Sequence, residues 1–367
     1  MKITAVQTDH YRIPLPAVLS DSTHGQISHF ALNTVRIQTG DGLEGLGYTY
    51  TVGNVGGAAV QALLARDLTP LLLGADPRRI EQLWEQMWWH IHWVGRGGAA
   101  ALAMSAVDIA LWDLKARLAG EPLWRFLGGH TDRVKAYAGG IDLQFSLAEL
   151  LAQTERFLGQ GFRAIKMKVG REKLAEDVER VKAMRDMIGP DIVLMADANM
   201  RWSVDQAVRA SRALAEFDLY WLEEPLIPDD LAGHARLARE GALPIATGEN
   251  LHTLYEFQHM ITQGGISFPE PDVSNMGGIT AWLKVAHLAE AHNLPVTSHG
   301  VHDLHVHLLA AIPNASYLEA HGFGLERFLA QPLTLVDGQM VAPSRPGHGL
   351  NFDWAALEPH RDRANNQ

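Results

Sequence analysis

From about residue 134 onward one unit recurs, and it narrows the possible folds more than any other feature of the chain. Short apolar stretches fall at residues 134–139, 164–169, 192–197, 220–223, 244–248, 267–272, 295–298 and 316–319. Helical segments separate them, so these strands stand roughly 20 to 30 residues apart. Parallel neighbours need a crossover connection of about that size, usually a helix. Eight such units close into an α/β barrel of the (β/α)8 type.

The first hundred residues follow a different pattern. Residues 31–37 alternate as a half-buried strand does, Thr39-Gly-Asp-Gly42 has the residues of a hairpin turn, and residues 45–51 read as the returning strand. Helical spacing of apolar residues then runs through 60–73, 79–93 and 99–118, with Gly120 as the stop. Trp84, Met87, Trp88 and Ile91 fall on one stripe of the unusually aromatic second helix, which predicts core. Strands followed by helices, unmixed, point to an α+β module. The organisation expected is a module at 1–125, a barrel at 126–325 and a proline- and glycine-rich segment at 326–367 whose end, from Arg361, is frayed.

Length and composition exclude several functions. At roughly 150 residues per domain, 367 residues make two domains or a barrel with an added module. The absence of cysteine removes disulfides, thiolate nucleophiles and cysteine-held metals, and suits a reducing interior. Lys plus Arg number 31 against 42 for Asp plus Glu, and the net charge of -11 would repel a phosphate backbone, so no nucleic acid partner is expected. The start lacks the apolar run of a secretory signal and no stretch is long enough to cross a bilayer, so a soluble cytoplasmic protein is expected.

A barrel of this kind carries its chemistry at the C-terminal ends of its strands. Those ends read Lys166-Met-Lys168, Asp197-Ala-Asn199, Glu223-Glu224-Pro225 and Gly248-Glu249-Asn250, followed by Pro271-Asp272, Ser298-His299 and Glu319. Each alone has a plain structural explanation: a solvated strand edge, a turn, a helix start. Together they do not, because Asp197, Glu223 and Glu249 follow one another at intervals of 26 residues and so occupy equivalent places on consecutive βα units. Carboxylates converging without a cation repel and raise one another's pKa. Oxygen ligands alone favour magnesium or manganese. Period-two geometry sends Lys166 and Lys168 to the same side. Asp272 is placed to hold one tautomer of His299.

This set resembles the enolase superfamily, in its mandelate racemase subgroup, over nearly the whole chain, including Gly277-Gly278-Ile279 and the run from Ser298-His299 to His307 and Ala311. The resemblance implies a modified TIM barrel, (β/α)7β, with an α+β N-terminal capping domain and a C-terminal segment that returns to it. It implies Mg²⁺, one per subunit, on Asp197, Glu223 and Glu249. Lys168 would be the base on one face of a small carboxylate substrate, and His299, paired with Asp272, would act on the other. Lys166 and Glu319 would contact the carboxylate and the developing enediolate. By analogy the protein would be a homo-oligomer. The polar segment Ser20-Asp21-Ser22-Thr23-His24-Gly25 and the pair Tyr48 and Tyr50, followed by residues 53–57, are a loop and a second cover that could close over the site; Ser20, Asp21, His24, Tyr48, Tyr50 and Asn199 are therefore candidate substrate contacts. With Ala246-Thr-Gly-Glu249, this region is similar to galactarate and talarate dehydratases.

A lysine base has to be neutral part of the time, and Lys166 and the ion are expected to lower its pKa. If His299 protonates a β-hydroxyl, water leaves and a 2-keto-3-deoxy acid forms; if it returns a proton to carbon, the result is racemisation or epimerisation. The polar 20s segment favours the first, a sugar (aldaric or aldonic) acid dehydratase. A barrel that binds acids without turning them over is a third reading, but it needs no second base.

Overall fold

The computed structural model describes residues 1–53, 55–321 and 323–363. Its N-terminal sheet is antiparallel, in the order β1 (Ile3–Asp21), β2 (Gly25–Thr39), β3 (Glu44–Val52). The second and third strands and their turn agree with the sequence expectation. The first was not expected, because its burial alternates poorly and its register slips between Pro14 and Leu19. β1 and β2 form one long hairpin closed at its far end by Asp21 opposite Gly25. The 20s segment is therefore not a separate loop but the tip of this hairpin.

β3 lies directly on the helix Ala99–Ala119, and its glycines make that possible. A Cβ at Gly47 would stand 2.1 Å from the carbonyl oxygen of Ala106. That helix is buried on most of its surface, as one packed between two layers must be. The buried stripe of the helix Ile80–Ile91 contains Met87 and Ile91, as expected, together with Ile80 and Leu83 in place of the two tryptophans. Trp84 and Trp88 are only half-buried at the edge of that stripe.

The barrel strands are β4 (Arg133–Gly139), β5 (Ala164–Lys168), β6 (Val193–Asp197), β7 (Leu219–Glu223), β8 (Ile245–Thr247) and β9 (Phe268–Pro269), paired in parallel in that order. The eighth strand, β10 (Leu318–Ala320), pairs with β4 and closes the ring. The expected seventh strand at 295–298 is reduced to one bridge, Val296 to Ala315, with Thr297 N–H donating to Pro269 at 3.0 Å. A helix follows each of the first seven strand positions and none follows β10 within the barrel, which is the (β/α)7β form. Tyr137 and Trp221 pack edge to face inside, their ring centres 5.6 Å apart, so the barrel interior is filled.

The last segment forms a hairpin, β11 (Leu335–Val336) and β12 (Gln339–Val341), whose second strand runs antiparallel to β4. It then crosses to the N-terminal sheet. His348 N–H donates to Asp113 at 2.9 Å, and Arg361 Nη1 lies 2.9 Å from Asp9. Asp362 N–H donates to His10 at 2.9 Å. The chain is thus held at Arg361 and Asp362, where fraying was expected; residues 364–367, and Asn54 within the 53–57 segment, lie outside the described residues. Among the described residues no helix is long and apolar enough to cross a membrane.

Candidate active site

Strand register aligns the site. Lys168 pairs with Asp197 and Asp197 with Glu223, so three strand ends stand at one height. Lys166, two residues back, is on the same side as Lys168, as alternation requires. Oxygens of Asp197, Glu223 and Glu249 all lie within 4.8 Å of one another, so one small ion could touch all three. Both lysines point at this group: Lys168 Nζ donates to Asp197, and Lys166 Nζ donates to Glu223 and lies 2.8 Å from Glu319 Oε1.

The donor set fits magnesium. All three groups are hard carboxylates, and Asp197 and Glu223 are fully buried. Burial pushes Glu223 well above the usual carboxylate range; Lys166 opposes this, while Asp197, Glu319 and Glu249 add to it. A divalent ion is what relieves such crowding. The lysines answer the same charges. Burial pulls Lys168 down, but Asp197, then Glu249 and Glu223, outweigh it and the net shift is upward. Lys166 lowers the Lys168 pKa, as expected from the sequence, but without the ion the carboxylates around these side chains outnumber the ammonium groups.

Across the barrel mouth, His299 Nδ1–H donates to Asp272 Oδ2 at 3.0 Å, and its Nε2 stands 3.4 Å from Glu249 Oε2. Burial lowers the imidazole pKa, yet in the ion-free site Glu249 and Asp272 carry it up to about 10. Asp272 Oδ1 accepts from both the N–H and the hydroxyl of Ser274 at 2.7 Å. Glu319 accepts from Gly300 N–H at 2.7 Å, and its own N–H donates to Ser298 Oγ at 3.1 Å.

The hairpin tip covers this mouth. Ser22 Oγ donates to the carbonyls of Ala198 (2.9 Å) and Asn199 (3.2 Å), and Thr23 Oγ1 to Asn199. His24 Nδ1–H donates to Asp21 Oδ2 at 2.8 Å. That bond raises the His24 pKa, burial opposes it, and Glu249 adds to it. Beneath the tip is a cavity of about 550 Å3 bordered by Asp21, His24, Tyr50, Glu249 and His299. Apolar side chains, Ile27, Val52 and Leu102 from the N-terminal module and Phe323 from beyond β10, alternate with the polar ones in its lining.

The other candidate contacts are placed differently. Ser20 pairs with Asp142 through its backbone. Asn199 turns its amide to Asp197, at 3.3 Å, and its N–H to the same carboxylate, at 2.8 Å. Tyr48 is fully buried with its hydroxyl on Asp303, 2.8 and 2.9 Å from the two oxygens, away from the cavity. Sequence reading passed over Glu224, which accepts from Thr247 Oγ1 (2.5 Å), Gly248 N–H (3.2 Å) and Asn250 Nδ2 (3.0 Å) and so shapes the loop that presents Glu249. It also passed over Asp142, whose Oδ1 accepts from Lys168 N–H at 3.0 Å. Its place beside Glu223 in Glu-Glu-Pro was the one signal for Glu224.

Comparison with known proteins agrees with this geometry. Residues 2–128 match the family described as mandelate racemase / muconate lactonizing enzyme, N-terminal domain, and residues 149–356 match the enolase C-terminal domain-like family. The 3,6-anhydro-alpha-L-galactonate cycloisomerase of Streptomyces coelicolor is 58% identical over 355 residues, 97% of this chain and 98% of that protein. The crystal structure of a racemase from Streptomyces coelicolor A3(2) with bound magnesium is 56% identical with a TM-score of 0.96, covering 98% of this chain and 100% of that one. An L-talarate dehydratase from Polaromonas sp. JS666, solved with magnesium and L-glucarate, is 36% identical with a TM-score of 0.93, covering 99% and 98%. Solved neighbours thus hold magnesium, and the acids of this chain are positioned to hold a metal ion. The chain belongs to the enolase superfamily, in its mandelate racemase subgroup.

Proposed function

We propose that this protein removes the proton α to the carboxylate of an acid sugar and expels the oxygen on the next carbon, with 3,6-anhydro-L-galactonate as substrate. The observation that carries this reading is the pairing of two opposed groups across one mouth: a lysine on Asp197 from the second strand, and the His299 imidazole on Asp272 from the seventh. The extent of the likeness to the Streptomyces cycloisomerase supports the choice of substrate. So do the apolar side chains Ile27, Val52, Leu102 and Phe323 in the cavity lining, which suit a ring ether better than an open chain of hydroxyls.

In this reading residues 1–125 are the cap, 126–325 the catalytic barrel and 326–367 the tie between them. Asp197, Glu223 and Glu249 hold magnesium, and Asn199 orients the first of them. The bound ion supplies positive charge to the substrate carboxylate and offsets the carboxylates that otherwise keep the lysines protonated. Lys168 takes the proton from C2. Lys166, set between Glu223 and Glu319, donates to the oxygen on which negative charge develops. His299 gives the Nε2 proton to the C3 oxygen as the C3–O bond breaks and a C2–C3 double bond forms. The enol becomes a 2-keto-3-deoxy acid. Because the C3 oxygen of the anhydro ring is also bonded to C6, it stays on the molecule as a hydroxyl, and the product is an isomer.

The same step on an open-chain aldonic or aldaric acid expels water. This second reading, a dehydratase, is favoured by the polar tip, Asp21 with His24, and by the likeness to talarate dehydratase. Mass spectrometry with carbonyl derivatisation, together with polarimetry, of each acid incubated with the magnesium-loaded protein tests both. A new carbonyl at unchanged mass from 3,6-anhydro-L-galactonate is the expected result. Turnover of galactarate or talarate with loss of water, and none of the anhydro acid, overturns the first reading in favour of the second. A change in optical rotation with no new carbonyl overturns both.

A further inference from the structure

We infer that Tyr50, carried by the N-terminal sheet, is a positioning residue for the acid step: it holds Asp272, and through Asp272 the proton-donating face of His299. The inference rests on the functional reading above. Tyr50 hydroxyl donates to Asp272 Oδ2 at 3.2 Å. The same oxygen accepts from His299 Nδ1–H at 3.0 Å, while the phenol oxygen stands 3.5 Å from that nitrogen. With Ser274 supplying two bonds to Oδ1, each oxygen of this buried carboxylate accepts two hydrogen bonds. A carboxylate so filled has one orientation, and it imposes one on the imidazole.

Three neighbouring residues of β3 serve this docking. Tyr48 donates to Asp303, Thr49 Oγ1 to the carbonyl of Ser274 at 2.6 Å, and Tyr50 to Asp272. The middle bond anchors the residue that caps Asp272 Oδ1. The space for the phenol is reserved on the barrel side: Gly300 has φ +52, and a Cβ there would lie 3.0 Å from the Tyr50 oxygen. The ring of Tyr50 is fixed by Phe323, centres 5.3 Å apart, so removing the hydroxyl alone leaves the packing in place. Among the described residues Lys168 Nζ is bonded to Asp197 and not to Tyr50, Asp272 or His299, so the lysine step and the histidine step should separate when Tyr50 changes.

The test is Tyr50→Phe, loaded with magnesium, acting on 3,6-anhydro-L-galactonate in deuterated water beside wild type and His299→Asn. Deuterium at C2 of recovered substrate reports the lysine step, and keto acid reports the elimination. The expected result is product formation slowed about 10- to 100-fold, the range of a lost hydrogen bond to a charged group. Deuterium per product should rise toward the His299→Asn value. Both signals come from the same folded molecules, so a partly unfolded variant leaves their ratio unmoved. Unchanged rates, or both lowered by one factor, overturn the positioning role while leaving the function intact. A wild type that gives neither signal overturns the functional reading and this inference with it.

Discussion

Ser22 Oγ lies 2.9 Å from the carbonyl oxygen of Ala198, so the tip of the N-terminal hairpin is bonded to the backbone immediately after Asp197. The bond ties the position of the cover to the strand end that carries the first carboxylate. Removing it together with its neighbour, in Ser22→Ala/Thr23→Val, frees the tip and with it Asp21 and His24. At about 1 kcal/mol for each residue's hydrogen bonding, the pair is worth about 2 kcal/mol, or roughly 30-fold. The expectation is a KM raised by about that factor with kcat changed less. A kcat that falls with KM unchanged would place the tip in the chemistry rather than in binding.

Lys168 is the group assigned to the α-proton. Lys168→Ala should abolish deuterium incorporation at C2 and lower turnover by about 10²- to 10⁴-fold, the usual contribution of a positioned base. Isotope exchange followed by NMR checks it. Exchange at the wild-type rate would remove the lysine from the proposed mechanism.

Stability should depend on pH through a histidine far from the mouth. His307 is fully buried, its Nδ1 accepting from Trp124 N–H at 3.3 Å and its Nε2–H donating to the carbonyl of His348 at 2.9 Å, which requires the neutral ring. Burial, with help from His348, lowers its pKa from 6.5 to about 3. The unfolded chain takes up a proton below about pH 6.5 that the folded one refuses, so this group's contribution to stability is full above that pH and falls as pH drops toward 3. Urea midpoints at pH 7.5 and 5 should show a smaller acid loss in His307→Gln than in wild type. Equal losses would mean that the ring is protonated in the fold.

Much of the site was legible because a βα repeat makes sequence spacing a measure of height. Acids 26 residues apart reach the same level, and Lys-x-Lys reaches it twice from one strand. What sequence spacing does not encode is docking between the two parts of the chain. Tyr50 and Asp272 are 222 residues apart, and nothing local to either marks the other. β1 escaped notice because its residues face mixed surroundings and shift register midway. The seventh strand was overestimated because an apolar run at 295–298 satisfies the pattern although only Val296 completes a bridge. Glu224 depends on a backbone turn with φ 42 that its neighbours in sequence do not announce.

The account turns on Asp197, Glu223 and Glu249 gripping one hard cation. Calorimetric titration of metal-stripped protein with magnesium, on wild type and on Asp197→Asn, Glu223→Gln and Glu249→Gln, tests it most directly. The account predicts one ion per chain in wild type and a loss of affinity greater than about 100-fold in each variant, beyond what a merely supporting partner costs. Undiminished binding in any of the three, or no binding to wild type, would contradict it.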